Sequence, residues 1–197
     1  EPYVAVVRED LTDSVCASCF YEHEDLEPVP CTKCKKVFYC GIECQRKDFI
    51  LHEVECKFLS AVRGIPLTVI RLIARLLIRR KRGDHSKIES FNGRQFEDLM
   101  DHLHDFKKNT AITNAVLKDV KSYVSSEYMI DDENILRYFG KVRINSFSIC
   151  GVIDTYLGDG LYIGSSVFDH SCDPDLTRRF IGPKIILRSQ YKDQSRE

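Results

Sequence analysis

Cys16-Ala17-Ser18-Cys19, Cys31-Thr32-Lys33-Cys34, Cys40-Gly41-Ile42-Glu43-Cys44 and His52-Glu53-Val54-Glu55-Cys56 form four pairs of metal-ligand residues within residues 16–56. Two residues between cysteines let a tight turn aim both thiolates at one metal. Three residues between ligands place i and i+4 on one face of a helix. Zinc takes four sulfur or nitrogen ligands in a tetrahedron, and a site with all four filled is structural, leaving no position for an activated water. Eight ligands therefore predict two closed zinc sites, one of four cysteines and one of three cysteines with His52. Spacing alone leaves open whether the pairs combine in sequence or interleave.

The rest of the composition agrees with this reading. The chain has nine cysteines, an odd number that full disulfide pairing cannot use. A dense Cys/His cluster without a secretory leader points to metal sites in a reducing compartment, so cytoplasm and nucleus are expected. A block of this size buries too little apolar surface to fold unaided, and zinc binding is expected to supply much of its folding free energy. Lys+Arg is 29 and Asp+Glu is 30, a net charge of −1. This excludes a globally basic nucleic-acid binder, and no apolar run is long enough to cross a membrane. Residues 16–56 carry five Lys/Arg and eight Asp/Glu. Seven thiolates and two zinc ions would make that block about three charges more negative still, so direct DNA binding is not expected.

Working outward, Tyr3-Val4-Ala5-Val6-Val7 is a β-branched run that suits an edge strand. Residues 57–82 predict a helix, with Ile65, Val69, Leu72, Ile73, Leu76 and Leu77 at helical spacing, Pro66 in its first turn and Gly83 at its stop. Residues 63–82 hold seven Lys/Arg and no acid; Arg71, Arg75 and Arg79 are expected to form a solvated stripe. The helical period continues through 84–139. From Gly140 short β-rich runs follow: Val142–Ile149, Leu161–Ile163, Arg179–Ile181 and Ile185–Leu187. Cys150 and Cys172 read as packed core thiols, because free cysteine is usually buried.

The order C-x2-C, C-x2-C-x5-C-x3-C-x7-H-x3-C, with Tyr39 before the fifth ligand, resembles the MYND zinc finger. That resemblance implies interleaved pairs: Cys16, Cys19, Cys40 and Cys44 at one zinc, Cys31, Cys34, His52 and Cys56 at the other. Gly160-Leu161-Tyr162-Ile163 and Phe168-Asp169-His170-Ser171-Cys172-Asp173-Pro174-Asp175 resemble the GLYP…NHSCxPN signature of SET-and-MYND (SMYD-type) protein-lysine methyltransferases. Asn145-Ser146-Phe147-Ser148-Ile149 resembles their NSFxI segment, and Glu1-Pro2-Tyr3-Val4 the strand before the MYND insertion. The resemblance implies S-adenosylmethionine as cofactor, with Asp169, His170 and His102 at its pocket and Asn145 and Phe147 near the cofactor and lysine channel. Asp169 and Asp175 stand where the family has Asn, and an ionised carboxylate only accepts hydrogen bonds. The family's G-x-G cofactor loop is expected before Glu1. Its GEE…Y segment with the catalytic tyrosine is expected after Arg188, where Tyr191 is not a convincing replacement; the catalytic residue is left unassigned.

The expected architecture is α+β, a MYND zinc finger and helical insert within a partial SET β-fold. Its expected parts are the end of an N-terminal SET portion (1–15), the finger (16–56), the helical insert (57–139), a SET core portion (140–190) and a divergent tail (191–197). The expected function is S-adenosylmethionine-dependent methylation of lysine on a histone or other protein by a monomer with two structural zinc ions, incomplete in this chain. The alternative is a catalytically inactive SET scaffold whose finger binds protein partners such as proline-containing peptides.

Overall fold

The computed structural model describes residues 1–22, 27–83 and 93–189. The expectations for Tyr191 and the tail 191–197 lie outside these residues. Strand β1 (Val4–Val7) forms from the predicted β-branched run. It pairs antiparallel with β5 (Tyr156–Leu161), which pairs on its other side with β4 (Ser146–Cys150), giving the order β1-β5-β4. Two smaller ladders join β2 (Val29–Pro30) to β3 (Phe38–Tyr39), and β6 (Leu176–Ile181) to β7 (Lys184–Ser189). Helices α1 (Ile42–Ala61), α2 (Thr68–Lys81), α3 (Leu103–Lys107), α4 (Thr110–Tyr123) and α5 (Asp132–Asn145) complete the α+β architecture. None of the described helices is long and apolar enough to cross a membrane.

The edge of β1 away from β5, which no strand pairs among the described residues, is covered by α2. Arg71 Nη1 donates to Val7 O at 3.3 Å, Arg75 Nη1 to Ala5 O at 3.1 Å, and Arg79 Nη1 to Tyr3 O. Four helical residues rise about 6 Å, and two strand residues span about 6.6 Å. A helix running against the strand can therefore place an arginine at every fourth position over every second carbonyl. The expectation of a solvated stripe is overturned for its inner members: Arg71 is 1% and Arg75 3% exposed. Helical periodicity marks a polar stripe, but it cannot tell water from the carbonyls of a strand.

Those buried guanidiniums need anions. Glu55 on α1 accepts from Arg71 Nε at 2.8 Å, Arg75 Nε at 2.7 Å and Tyr123 Oη at 3.2 Å. Asp48 receives both Arg75 terminal nitrogens, at 2.8 and 3.2 Å, and Tyr39 Oη at 2.9 Å. Burial alone would raise the Glu55 pKa, but the two arginine charges outweigh it and hold the value at about 2. The other face of α2, with Leu72, Ile73, Leu76 and Ile78, is buried in the same core as Leu59, Val120, Ile135 and Phe139.

The strand expected over Leu161–Ile163 is Tyr156–Leu161, and the expected helical period is interrupted at 99–102. Element boundaries differ from the periodicity reading in two further places. The helix begun in the finger runs through 57–61, so the predicted single helix over 57–82 is two, separated around Pro66. Lys36 Nζ closes the first, donating to Leu59 O at 2.7 Å, Gly64 O at 3.0 Å and Val62 O, where a cation suits the helix C-terminus. Second, α5 continues through Val142 to Asn145, so the strand expected from Val142 starts at Ser146. Lys141 explains the extension: its Nζ donates to Phe96 O, Glu97 O and Leu99 O at 2.7–3.0 Å. Gly140 admits the backbone of Asp101 where a Cβ would collide. Tertiary contact here overrides the β-branched preference of the local sequence.

Glu55→Gln should cost about 3–5 kcal/mol in urea denaturation, because it leaves two buried cations short of an anion. The folded pKa of Glu55 lies below its ordinary 4.5. Its stabilising contribution is therefore complete above about pH 4.5 and is lost as pH falls toward 2. A Glu55→Gln protein with wild-type stability at neutral pH and wild-type acid sensitivity would contradict this assignment.

Candidate functional site

Both C-x2-C pairs sit in turns of the same design. Phe20 N donates to Cys16 O and Lys35 N to Cys31 O, each at 2.9 Å. Phe20 (φ 57) and Lys35 (φ 54) adopt the left-handed conformation, which is uncommon for residues other than glycine. Each turn folds its two sulfurs toward one point. Cys16 and Cys19 meet Cys40 and Cys44, which flank the start of α1. Cys31 and Cys34 meet His52 and Cys56, one turn apart on α1. In each cluster all four ligand atoms lie within 4.8 Å of one another. The grouping is interleaved, a choice that spacing left open.

The separations suit a metal. Cys19 and Cys40 sulfurs are 3.4 Å apart, Cys31 and Cys56 3.7 Å, and Cys34 Sγ lies 3.8 Å from His52 Nε2. A disulfide needs about 2.0 Å, and all nine cysteines are free. A tetrahedron with zinc–sulfur bonds of about 2.3 Å has edges of about 3.8 Å. Burial lowers the His52 pKa, which favours the neutral imidazole a metal requires. The crowded thiols share protons: the hydrogen bond with Cys19 pulls Cys16 down to about 4 and pushes Cys19 up, and burial pushes Cys34 up to about 12. Either cluster could hold a zinc ion in place of those protons.

A second site lies where α5 meets β4. A cavity of about 700 Å³ is walled by Met100, Asn145, Phe147, Asp169, His170 and Arg178, among others. Its volume falls within the ~300–1,000 Å³ of small-molecule sites. Asn145 is buried and rigidly held, with Nδ2 donating to Met100 O at 2.9 Å and Lys141 O at 2.8 Å. Phe147 is set edge-on to Tyr162, with ring centres 5.8 Å apart. The Ser146 hydroxyl is buried in the same wall and has no hydrogen-bond partner among the described residues. A polar ligand would meet two carboxylates (Asp169 and Asp175), an imidazole and a guanidinium there.

Four of the five residues named from the sequence for cofactor and channel, Asp169, His170, Asn145 and Phe147, thus share one cavity. His102 is not in its wall. It precedes α3 in the left-handed conformation (φ 45), with its side chain 51% exposed and 3.8 Å from Asp105. Met100, two residues earlier, lines the cavity instead. The expectation that Cys172 is a packed thiol is also corrected: Cys172 is exposed, its sulfur 3.5 Å from His170 Nε2. It lies within residues 168–175, which are exposed throughout. Arg178 was missed because a charged residue in an alternating strand reads as solvent-facing.

Comparison with known proteins adds to this geometry. A family profile described as MYND finger matches residues 16–56. SET domain-containing protein 14 of Caenorhabditis elegans is 31% identical over 180 residues, 89% of this chain and 40% of that protein. N-lysine methyltransferase SMYD2 of Gallus gallus is 29% identical over 193 residues, 95% of this chain and 43% of that protein. Histone-lysine N-methyltransferase SMYD3 of Homo sapiens is 28% identical over 196 residues, 96% and 45% respectively. The chain therefore spans less than half the length of these relatives.

Metal analysis by plasma mass spectrometry should find two zinc ions per chain, and Cys16→Ser and Cys31→Ser should each remove one. Chelation should abolish protease resistance across residues 16–56, because metal binding and folding are coupled there. Unchanged circular dichroism and proteolysis after chelation would refute the coupling.

Proposed function

The chain is an SMYD-type family member with a MYND finger, and from this premise we propose that it serves S-adenosylmethionine-dependent protein-lysine methylation. The observation that carries the reading is the single cavity formed by residues 145–147 and 168–170. Histone and non-histone lysines are both candidate substrates. The two zinc ions would be structural, since each cluster offers four protein ligands and no open position. The free cysteines favour a reducing compartment, cytoplasm or nucleus.

S-adenosylmethionine, when bound, supplies a methyl group already made electrophilic by its sulfonium. What remains for the protein is alignment and exclusion of water. Asn145, locked by two hydrogen bonds, fixes the wall from which β4 departs. The Phe147 ring offers an apolar and cation-tolerant surface to the lysine stem. Asp169 and His170 supply polar contacts from the facing loop. Asp169 accepts hydrogen bonds and suits an ammonium, but it gives no donor to a carbonyl.

A second reading, a finger that binds protein partners on a catalytically silent scaffold, is favoured by a separate groove. It has a volume of about 410 Å³, lies between the Cys31–Lys33 turn and α1, and is lined by Ile42 and Phe49, 59% and 52% exposed. Proline-containing peptides are the candidate ligands there.

Calorimetric titration of S-adenosylmethionine into zinc-loaded protein should show saturable binding, and Asp169→Asn should tighten it by restoring a donor. Absence of binding to both proteins, with zinc confirmed, would overturn the methyltransferase reading. Capture of proline-containing peptides, lost in Phe49→Ser, would then support the second.

A further inference from the structure

Between Leu176 and Ser189 the chain carries Arg178, Arg179, Lys184 and Arg188 and no acidic residue. The pairing of β6 and β7 sets Thr177 opposite Arg188, Arg179 opposite Ile186, and Ile181 opposite Lys184. Alternate residues of a strand share a face, so Arg179, Lys184 and Arg188 lie together on one side. The other side faces inward: the Phe180 ring is 6.1 Å from Tyr162, and the Arg178 guanidinium is 5.8 Å from the centre of Phe147. Arg178 and Leu187, a directly opposed pair, both line the 700 Å³ cavity. The hairpin is thus a wall of the cleft on one face and an exposed cationic surface on the other. Among the described residues no carboxylate pairs with Arg179, Lys184 or Arg188.

The backbone adds a second feature. The β6–β7 ladder has two strands, with β6 lying against β4. The far edge of β7 therefore has no strand beside it among the described residues. Such an edge is a template for an added extended chain. Its position is fixed by the turn. Gly182 has φ +56, and a Cβ there would stand 2.5 Å from Cys19 O, while Tyr162 Oη donates to Pro183 O at 2.5 Å. The turn is thus wedged between the finger and the sheet.

We propose that this hairpin docks an extended acidic polypeptide, so that lysines offered to the adjoining cleft are those flanked by Asp and Glu. The role of the cleft rests on the methyltransferase reading; the docking itself does not. Charge decides the class of partner. Among the described residues, three cations without a carboxylate partner, Arg179, Lys184 and Arg188, lie beside a strand edge that no other strand covers. They complement carboxylates on an extended chain and repel a Lys/Arg-rich segment. A nucleic-acid duplex is much wider than a single extended chain and would reach past the hairpin to the finger, whose sequence carries eight acids and five bases and which adjoins the hairpin at Gly182. Its phosphates would be repelled there.

The test uses zinc-loaded protein and fluorescein-labelled short peptides with a central lysine, flanked by Asp/Glu in one and by Lys/Arg in the other. Fluorescence anisotropy at low salt should show the acidic peptide binding at least about tenfold more tightly. The exposed double variant Arg179→Glu with Arg188→Glu, checked for zinc content and circular dichroism, should weaken that binding about tenfold or more, and rising salt should weaken it in the wild type. Equal affinity for the two peptides, absence of binding, or indifference to both the charge reversal and salt would overturn the proposal. Preference for a labelled DNA duplex over the acidic peptide would overturn it in favour of nucleic acid. Peptide docking without any S-adenosylmethionine binding would leave the docking surface standing and remove the methyltransferase reading.

Discussion

One buried carboxylate holds the described structure together. Glu55 lies between Arg71 and Arg75, with Tyr123 as its third partner. Each arginine also reaches a carbonyl of β1. Removing two guanidiniums from water is expensive, and the expense is offset only when every partner is in place. The helix of the finger, the arginine helix, the first strand and α4 are therefore tied by one network whose members depend on one another. A sheet edge that would otherwise template aggregation is satisfied by side chains instead of another strand.

The same helix carries the metal ligands. His52 and Cys56 face the second cluster, while Asp48 and Glu55, on an adjacent stripe of α1, face the arginines. Tyr39 stands between the two, its hydroxyl bonded to Asp48 and its ring 6.0 Å from His52. A metal that orders α1 thereby also orders the anions on which α2 rests. In physical terms the finger is a foundation for the sheet rather than an appended module. The Gly182 turn, seated against Cys19, gives a second point of contact between finger and cleft.

The cleft depends on a different device. Lys141 gathers three carbonyls of the segment at Phe96–Leu99, and Asn145 binds Met100 O one turn further on. Burial pulls the Lys141 pKa down, but the three carbonyls give its ammonium the hydrogen bonds that water would. Two polar side chains on one face of α5 thus align a loop that has little regular structure of its own. Phe147 follows on β4 with its orientation fixed by Tyr162. Rigid support of this kind holds the wall of a binding cleft in one geometry.

The sequence alone singled out the eight Cys/His residues that gather into two clusters able to hold a metal, the first strand, the α+β composition and the stretches that wall the cleft. Metal-ligand spacing and short motifs are local, and local patterns are legible in a linear chain. The interleaving of the ligand pairs was not legible from spacing, because C-x2-C and i, i+4 geometry specify which residues pair but not which pairs meet. The arginine stripe looked solvated, Val142 looked like strand, Cys172 looked packed, and His102 was grouped with residues whose cavity it does not line. Each of these depends on what lies across from the residue, such as a strand's carbonyls against Arg75 or the backbone of residues 96–101 against α5. Burial, charge pairing and cavity walls are made between segments distant in the chain, so only the tertiary structure could decide them.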